Sequence, residues 1–320
     1  MLLASICKIS TLNCSLSFRT NAKSIVLIPG GEAPQGGWPV IAWAHGTTGV
    51  ARCCAPSLMK SYHSSRLSAF LEAGYAIVAT DYHGLGTEGD HQYCNGVAHG
   101  RDVVYSVKAA KEAGLGIAEK WVVAGHSQGS ITAWSVAAEQ YLSPDASYRG
   151  AIAVTGGMQK DKVVGMYSTT DDPFNSSMIM MVALGVAARF PQFELSRMLL
   201  PAGLRHIDEL KNRAGLYYAA ALYGDVLARD ILIPGWETLP EVERWFREFV
   251  PGERPVTGPI LVTASNDDSV VDAEGIEASV LRAQAAGADI TFTRYDGFDH
   301  AEVLHKTFPN LISWIKSRFA

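Results

Sequence analysis

The amino-acid sequence predicts an α/β fold: a mostly parallel central sheet flanked by helices, with a helical unit inserted late in the chain. Three observations predict it. Short apolar runs without polar alternation recur along the chain, the pattern of strands buried on both faces. Stretches of helical periodicity separate these runs, as in successive βα units. Between about residues 159 and 258 the rhythm breaks, and helical patterns follow one another with no convincing strand. The 320 residues are therefore divided into a core of 1–158 and 259–320 and a helical cap insertion of 159–258.

The elements follow in order. Leu2 to Ile6 is apolar but shorter than the 7–15 residues of a secretory h-region, and Lys8 follows it, so residues 1 to about 15 read as a trimmed leader or an irregular tail. Ser24 to Ile28 is a β-type run that ends at Pro29-Gly30-Gly31, and the stretch to Pro39 is a loop. Val40 to Ala44 is a strand leading into His45-Gly46, and Ser64 to Ala73 is a helix stopped by Gly74, a C′ glycine. Tyr75 to Thr80 is a strand, Val97 to Ala113 a helix ended by Gly114, and Trp121 to Ala124 a strand. A Gly/Ser turn follows, then a helix from Ser130 to about Tyr141 and a strand at Ala151 to Thr155. In the insertion, Met178 to Phe190, Glu209 to Leu222 and Glu241 to Phe249 are helical. Beyond it come a strand at Ile260 to Val262, a helix at Ala273 to Ala286, a strand at Asp289 to Arg294 and an amphipathic helix at Leu311 to Phe319.

Composition excludes several classes. With 48% hydrophobic and 18% charged residues and 14 prolines, the chain is neither disordered nor a coiled coil. The 27 basic and 32 acidic side chains leave a formal charge of −5 without a Lys/Arg run, which argues against a nucleic-acid partner. No apolar stretch reaches the roughly 18–20 residues of a transmembrane helix. Five cysteines do not make a disulfide scaffold; Cys53 or Cys54 pairing with Cys94, and free thiols, both stay open. No CxxC pair or His/Cys cluster suggests a metal. Gly84-Leu85-Gly86-Thr87-Glu88-Gly89 matches G-x-G-x-x-G, but breakers rather than a helix follow it, so no dinucleotide cofactor is expected. His300-Ala301-Glu302 lacks the P-C-x-x-C of zinc deaminases, and His300 and His305 lack H-E-x-x-H spacing.

Gly125-His126-Ser127-Gln128-Gly129 lies between an apolar strand and a helix. A serine at such a turn projects its hydroxyl above the sheet, and glycines on both sides avoid collisions with the neighbouring strand and helix. The N–H of Gln128, at the helix start, is placed to meet an oxyanion. A serine nucleophile needs a base oriented by a carboxylate, and in this architecture these follow in the order Ser, acid, His. Three histidines lie downstream: His206 falls in the insertion, His305 on a helical turn, and His300 in a loop directly after a strand, which makes His300 the expected base. The loop after Ile260–Thr263 offers Asp267 and Asp268; adjacent carboxylates point in different directions, so one of the two orients His300. Thr47, in the loop His45-Gly46-Thr47 after a strand, is the natural second oxyanion donor.

Together, Trp43-Ala44-His45-Gly46-Thr47-Thr48-Gly49, Ala55-Pro56-Ser57, Ala79-Thr80-Asp81-Tyr82-His83-Gly84-Leu85-Gly86 and Gly125-His126-Ser127-Gln128-Gly129 resemble, in kind and order, the secretory lipase family of α/β-hydrolases. That family includes fungal lipase A-type enzymes and bacterial esterases, and the likeness runs from about Ser24 to the C-terminus. It implies an α/β-hydrolase sheet, a helical cap and carboxylic ester substrates without a cofactor. Its G-x-x-D-x-x-V-P-like acid loop, set on Ala264 to Val271, places the acid at Asp267, with Ala264 and Val271 departing from Gly and Pro. It also implies secretion, although the start of the chain carries no clear signal peptide and a cytoplasmic location stays open. In the cap, Met178, Met181 and Leu184 belong to an apolar stretch that either packs as a helix on the body or lines an acyl channel for short- to medium-chain esters. An acyltransferase or peptidase of the same fold, and a non-catalytic binding protein, are the alternatives.

Overall fold

The computed structural model describes residues 8–15, 21–169 and 171–320. The chain forms β1 (Lys8–Ser15), β2 (Asn21–Ile28), β3 (Trp38–Ala44), α1 (Tyr62–Glu72), β4 (Ala76–Thr80), α2 (Gly96–Glu112), β5 (Ile117–His126), α3 (Gln128–Leu142) and β6 (Tyr148–Val154). Next come α4 (Lys160–Thr169), α5 (Phe174–Arg189), α6 (Pro201–Leu204), α7 (Ile207–Arg213), α8 (Leu216–Leu222), α9 (Ala228–Ile231) and α10 (Pro240–Phe249). The chain then returns to the sheet with β7 (Ile260–Ser265), α11 (Ala273–Ala285), β8 (Ile290–Tyr295) and α12 (Glu302–Phe319).

The strands make one eight-stranded sheet in the order β1-β2-β4-β3-β5-β6-β7-β8. β1 and β2 pair antiparallel, as do β2 and β4, and every pairing from β4 to β8 is parallel. The uniformly apolar runs have the expected cause. All five residues of β4 and all six of β7 are buried, because helices cover both faces. Alternate residues feed two cores. Val40, Ala42 and Ala44 pack with residues of α2, α3, α11 and the helices between β6 and β7, while Ile41 and Trp43 pack with Leu67 and Phe70 of α1 and Leu311 and Ile315 of α12.

Several ends obey local chemistry. Gly74 takes φ +86° and its N–H reaches Leu71 O at 3.0 Å, closing α1 as a C′ glycine does. Asn95 caps α2 by accepting from Ala98 N at 3.0 Å, and Asp272 caps α11.

Three elements differ from the sequence reading. The helix expected over Glu209 to Leu222 is two, α7 and α8, because the backbone is extended at Ala214 and Gly215 between them. Residues 8–15, expected to be an irregular tail, form the edge strand β1, paired in register from Lys8 opposite Ile28 to Ser15 opposite Asn21. Its sequence, KISTLNCS, lacks the apolar run of a doubly covered strand because an edge strand needs none. The leader reading for residues 1–7 lies outside the described residues. The last helix starts at Glu302 rather than Leu311 and carries Pro309 inside it, since Val303, Leu304, Leu311 and Ile315 share one buried face across the proline. Cys53, Cys54 and Cys94 are free thiols. Among the described residues no helix is long and apolar enough to cross a membrane.

Candidate active site

The carboxyl ends of the parallel strands open on one edge of the sheet, where ligands of such sheets bind. Ser127 follows β5 directly and takes φ 59°, ψ −119°, a conformation rarely adopted by a residue with a side chain. Packing forces the turn. A Cβ on Gly125 would lie 2.0 Å from Gly129 O, and one on Gly129 would lie 1.9 Å from Ala44 O, so strand, turn and α3 approach as only glycines permit. Ser127 N donates to Val154 O at 2.9 Å, tying the turn to β6.

His300 lies in the loop after β8, and its Nδ1 meets Asp268 Oδ2 at 2.8 Å. The Asp268 side chain is fully buried; Thr155 also donates to Oδ2, and the N–H groups of Val270 and Val271 donate to Oδ1 at 2.9 Å. Burial pushes this carboxyl upward, but the hydrogen bond and charge of His300, with the other donors, hold it below its ordinary value. The resemblance placed the acid one position earlier, at Asp267, but the carboxylate that meets the imidazole is that of Asp268. Asp267 is exposed, and its Oδ2 accepts from Gly297 N at 2.6 Å, outside the imidazole's reach. The turn that follows β7 leaves Asp267 outward and brings Asp268 in, with Asp268 N donating to Ser265 O at 3.4 Å.

Pattern reading missed the role of His126. Its Nε2 donates to His300 O at 2.8 Å, and burial first, then proximity to His300, lowers its pKa to about 3, so it is a neutral ring. The residue before Ser127 thus anchors the backbone of the His300 loop.

On the other side of Ser127, a Cβ on Gly46 would come within 3.2 Å of His126 O and 3.4 Å of the Ser127 Cβ. The loop Gly46-Thr47 therefore passes against the turn. His45 is buried and neutral, lowered to about 4 chiefly by burial. Its Nδ1 lies 2.7 Å from Gly46 O and its Nε2 3.2 Å from Asp81 O; the single N–H of the neutral ring serves the shorter contact. Tyr82 O–H donates to His45 O at 3.0 Å. In a planar trans peptide the C=O and N–H point oppositely, so the pull on Gly46 O turns Thr47 N–H away from His45. Gln128 opens α3, where backbone N–H groups have no intrahelical partner. Its side-chain Nε2 lies 3.3 Å from His91 Nε2, and His91 Nδ1 donates to His83 O at 3.0 Å, leaving Nε2 as the acceptor.

Two cavities meet at Ser127 and Thr47. One, of about 370 Å³, also holds His300, Tyr62, Arg66, Tyr217 and His305. The other, of about 70 Å³, is lined by Gln128 and by apolar side chains including Ile131, Met166, Val182 and Trp245. Met178 lines both. The other two expected lining residues are not there: Met181 is buried in the core, and Leu184 borders a separate cavity with Val50 and His91. At about 100° per residue, Val182 shares the face of Met178, whereas Leu184 is turned about 120° away. Tyr93 was also missed: its hydroxyl lies 2.8 Å from Thr47 Oγ1, and its segment, rich in helix breakers, carries no periodic signal. Among the described residues no cluster of His, Cys, Asp and Glu is placed to hold a metal ion.

The sheet, its strained serine turn and the helices around it define an α/β-hydrolase. More narrowly, the chain belongs to the secretory lipase family, whose profile matches residues 55–224. A Mycobacterium tuberculosis protein named probable inactive lipase is 24% identical over 323 residues, covering 92% of this chain and 69% of that protein. The crystal structure of a rice cell wall degrading esterase, LipA from Xanthomonas oryzae, superposes with a TM-score of 0.76 at 16% identity, covering 93% of this chain and 86% of that one. Candida antarctica lipase A in its closed state gives 0.76 at 15% identity, covering 97% of this chain and 76% of the other. These structures share the fold.

Proposed function

We propose that the protein hydrolyses carboxylic esters through an acyl-enzyme on Ser127. The observation that carries this reading is His300, which lines the same cavity as the strained Ser127 and is held from behind by the buried Asp268 at 2.8 Å. His300 takes the Ser127 proton as the hydroxyl attacks the ester carbonyl, and Asp268 holds the ring and steadies the imidazolium. The N–H groups of Thr47 and Gln128 receive the oxyanion. His300 then gives its proton to the departing alkoxide, and water repeats the sequence on the acyl-serine.

The two cavities divide the substrate. The leaving oxygen must be within reach of His300, which lines the larger cavity, so the alcohol part belongs there. The small apolar cavity beside Gln128 takes the acyl chain, and its size favours short to medium chains. The helices between β6 and β7 supply Met166, Met178, Val182 and Trp245 to it and act as the cap.

A non-catalytic role is the second reading, favoured by the name of the mycobacterial relative. Hydrolysis of p-nitrophenyl esters from acetyl to palmitoyl by wild type and Ser127→Ala, with fluorophosphonate labelling of both, separates the two. Activity and labelling that vanish in Ser127→Ala support the hydrolase. An unlabelled, inactive wild type supports the binding protein.

A further inference from the structure

The leaving-group cavity contains a cation that the hydrolysis chemistry does not use. Arg66, on α1, lines it together with Tyr62, Ser127 and His300. The Arg66 guanidinium carbon lies 4.2 Å from the centroid of the Tyr62 ring, and among the described residues its hydrogen bond is a long one, Nη1 to Tyr62 O at 3.5 Å. Among the described residues no carboxylate pairs with it, whereas Arg189, Arg197 and Arg254 of the same chain each hold a glutamate. Asp299 and His305, which also line the cavity, have partners of their own. Asp299 Oδ1 accepts from Ala301 N and Glu302 N at 2.9 and 2.8 Å, and His305 packs its ring on Phe308.

A guanidinium stacked on an aromatic face keeps its plane fixed and its N–H edge free for an anion, the geometry that favours carboxylate and phosphate oxygens. Solvated surface arginines are common, but this one faces the space assigned above to the alcohol part of the ester. We propose that Arg66 selects esters whose leaving alcohol carries an anionic group, a carboxylate or a phosphate. The proposal rests on the reading of Ser127 and His300 as the reacting pair, because that reading decides which side of the ester enters this cavity.

The test compares butanoyl esters of three alcohols: 4-hydroxybenzoate, its neutral methyl ester, and the cationic 4-(trimethylammonio)phenol. The same acyl ester of 3-hydroxypropyl phosphate compares phosphate with carboxylate. Taking ratios between variants cancels the intrinsic reactivity of each leaving group. The anionic-to-neutral ratio of kcat/KM should fall at least tenfold in Arg66→Gln, recover in large part in Arg66→Lys, and shrink in wild type at high salt. The cationic-to-neutral ratio should rise in Arg66→Gln. Ratios unchanged within twofold overturn the proposal. Calorimetric titration of Ser127→Ala, and of Ser127→Ala with Arg66→Gln, with the intact esters gives the same comparison without turnover. A charge preference lost with Arg66 there upholds anion recognition even if the wild type hydrolyses none of the esters, which would instead sink the hydrolase reading; equal binding of anionic and neutral esters rejects it.

Discussion

Asp268 and His300 are joined by a 2.8 Å contact between a fully buried carboxylate oxygen and Nδ1 of the imidazole, while Asp267, one residue away, faces out to Gly297 N. The two aspartates should therefore separate sharply on mutation. Asp268→Asn is expected to lower kcat for a p-nitrophenyl ester by about 10³–10⁴-fold, because the ring loses its orienting anion. Asp267→Asn should change kcat by no more than about threefold, as surface changes away from the chemistry do. Equal losses in the two variants would contradict the assignment.

The peptide between Gly46 and Thr47 is aimed by its neighbours. His45 holds Gly46 O at 2.7 Å and Tyr82 holds His45 O at 3.0 Å. Tyr82→Phe keeps the ring stack with His45, whose centroids are 4.3 Å apart, but frees the His45 carbonyl. We expect kcat to drop about tenfold with KM little changed, the mark of an interaction made only in the transition state. A proportional rise in KM with kcat intact would instead point to ground-state binding.

The glycines around the serine differ in how much room they have. Gly129→Ala places a methyl 1.9 Å from Ala44 O, and no rotamer relieves it. That variant should lose roughly 3 kcal/mol or more in denaturant unfolding, or fail to accumulate folded. Gly46→Ala meets its nearest atom at 3.2 Å and should cost about 1 kcal/mol while lowering activity. A Gly129→Ala protein with wild-type stability would show that the turn tolerates a wider approach.

Chain-length preference should follow the small apolar cavity. Val182→Trp fills space in it beside Met178. The optimum among p-nitrophenyl esters is expected to shift toward acetyl, with kcat/KM for octanoate falling at least tenfold and that for acetate far less. An unchanged profile would place the acyl chain in the other cavity.

Stability should fall steeply in mild acid. His45 is lowered to about 4, and His63, His91 and His126 to about 3, each mainly by burial. Below the unfolded value of about 6.5 the unfolded chain takes up protons that the folded one refuses, so stability drops as pH falls toward 4, by up to about 1.4 kcal/mol per pH unit for each ring. Asp102 acts in the opposite direction. Burial raises its carboxyl to about 7, so between about 4 and 7 the folded state holds the extra proton and loses stability as pH rises. Asp102→Asn should raise Tm at pH 8 but not at pH 4, and wild-type Tm should decline from pH 6.5 to 4.5. A Tm flat across that range would mean that the buried rings are already satisfied as cations.

Much of this was legible in the sequence because the physical demands were local. Apolar runs such as Ala76–Thr80 announced doubly covered strands, and the two glycines around Ser127 announced a turn too tight for side chains. What escaped depended on direction or on distant partners. Asp267 and Asp268 differ by a single step along the chain, and only the path of the backbone leaving β7 says which turns inward. Met181 and Leu184 share the apolar character of Met178, but the faces of α5 were assigned only once its packing was known. Thr155, just past β6, and His126, at the end of β5, reach Asp268 and His300 across sequence separations of 113 and 174 residues, which no motif encodes.

The unequal cavities have a kinetic consequence. Under the proposed acyl-enzyme route, the chain would stay in the small apolar chamber while the released alcohol still occupied the approach to His300, so water would have to come in by the route the alcohol leaves. Any alcohol that lingered would compete with water for the acyl-serine, giving the reaction a ping-pong character with partition between solvent and acceptor. At high alcohol concentration the same residues would then act as a transferase, and the groups on the open side, rather than the acyl chamber, would choose the acceptor.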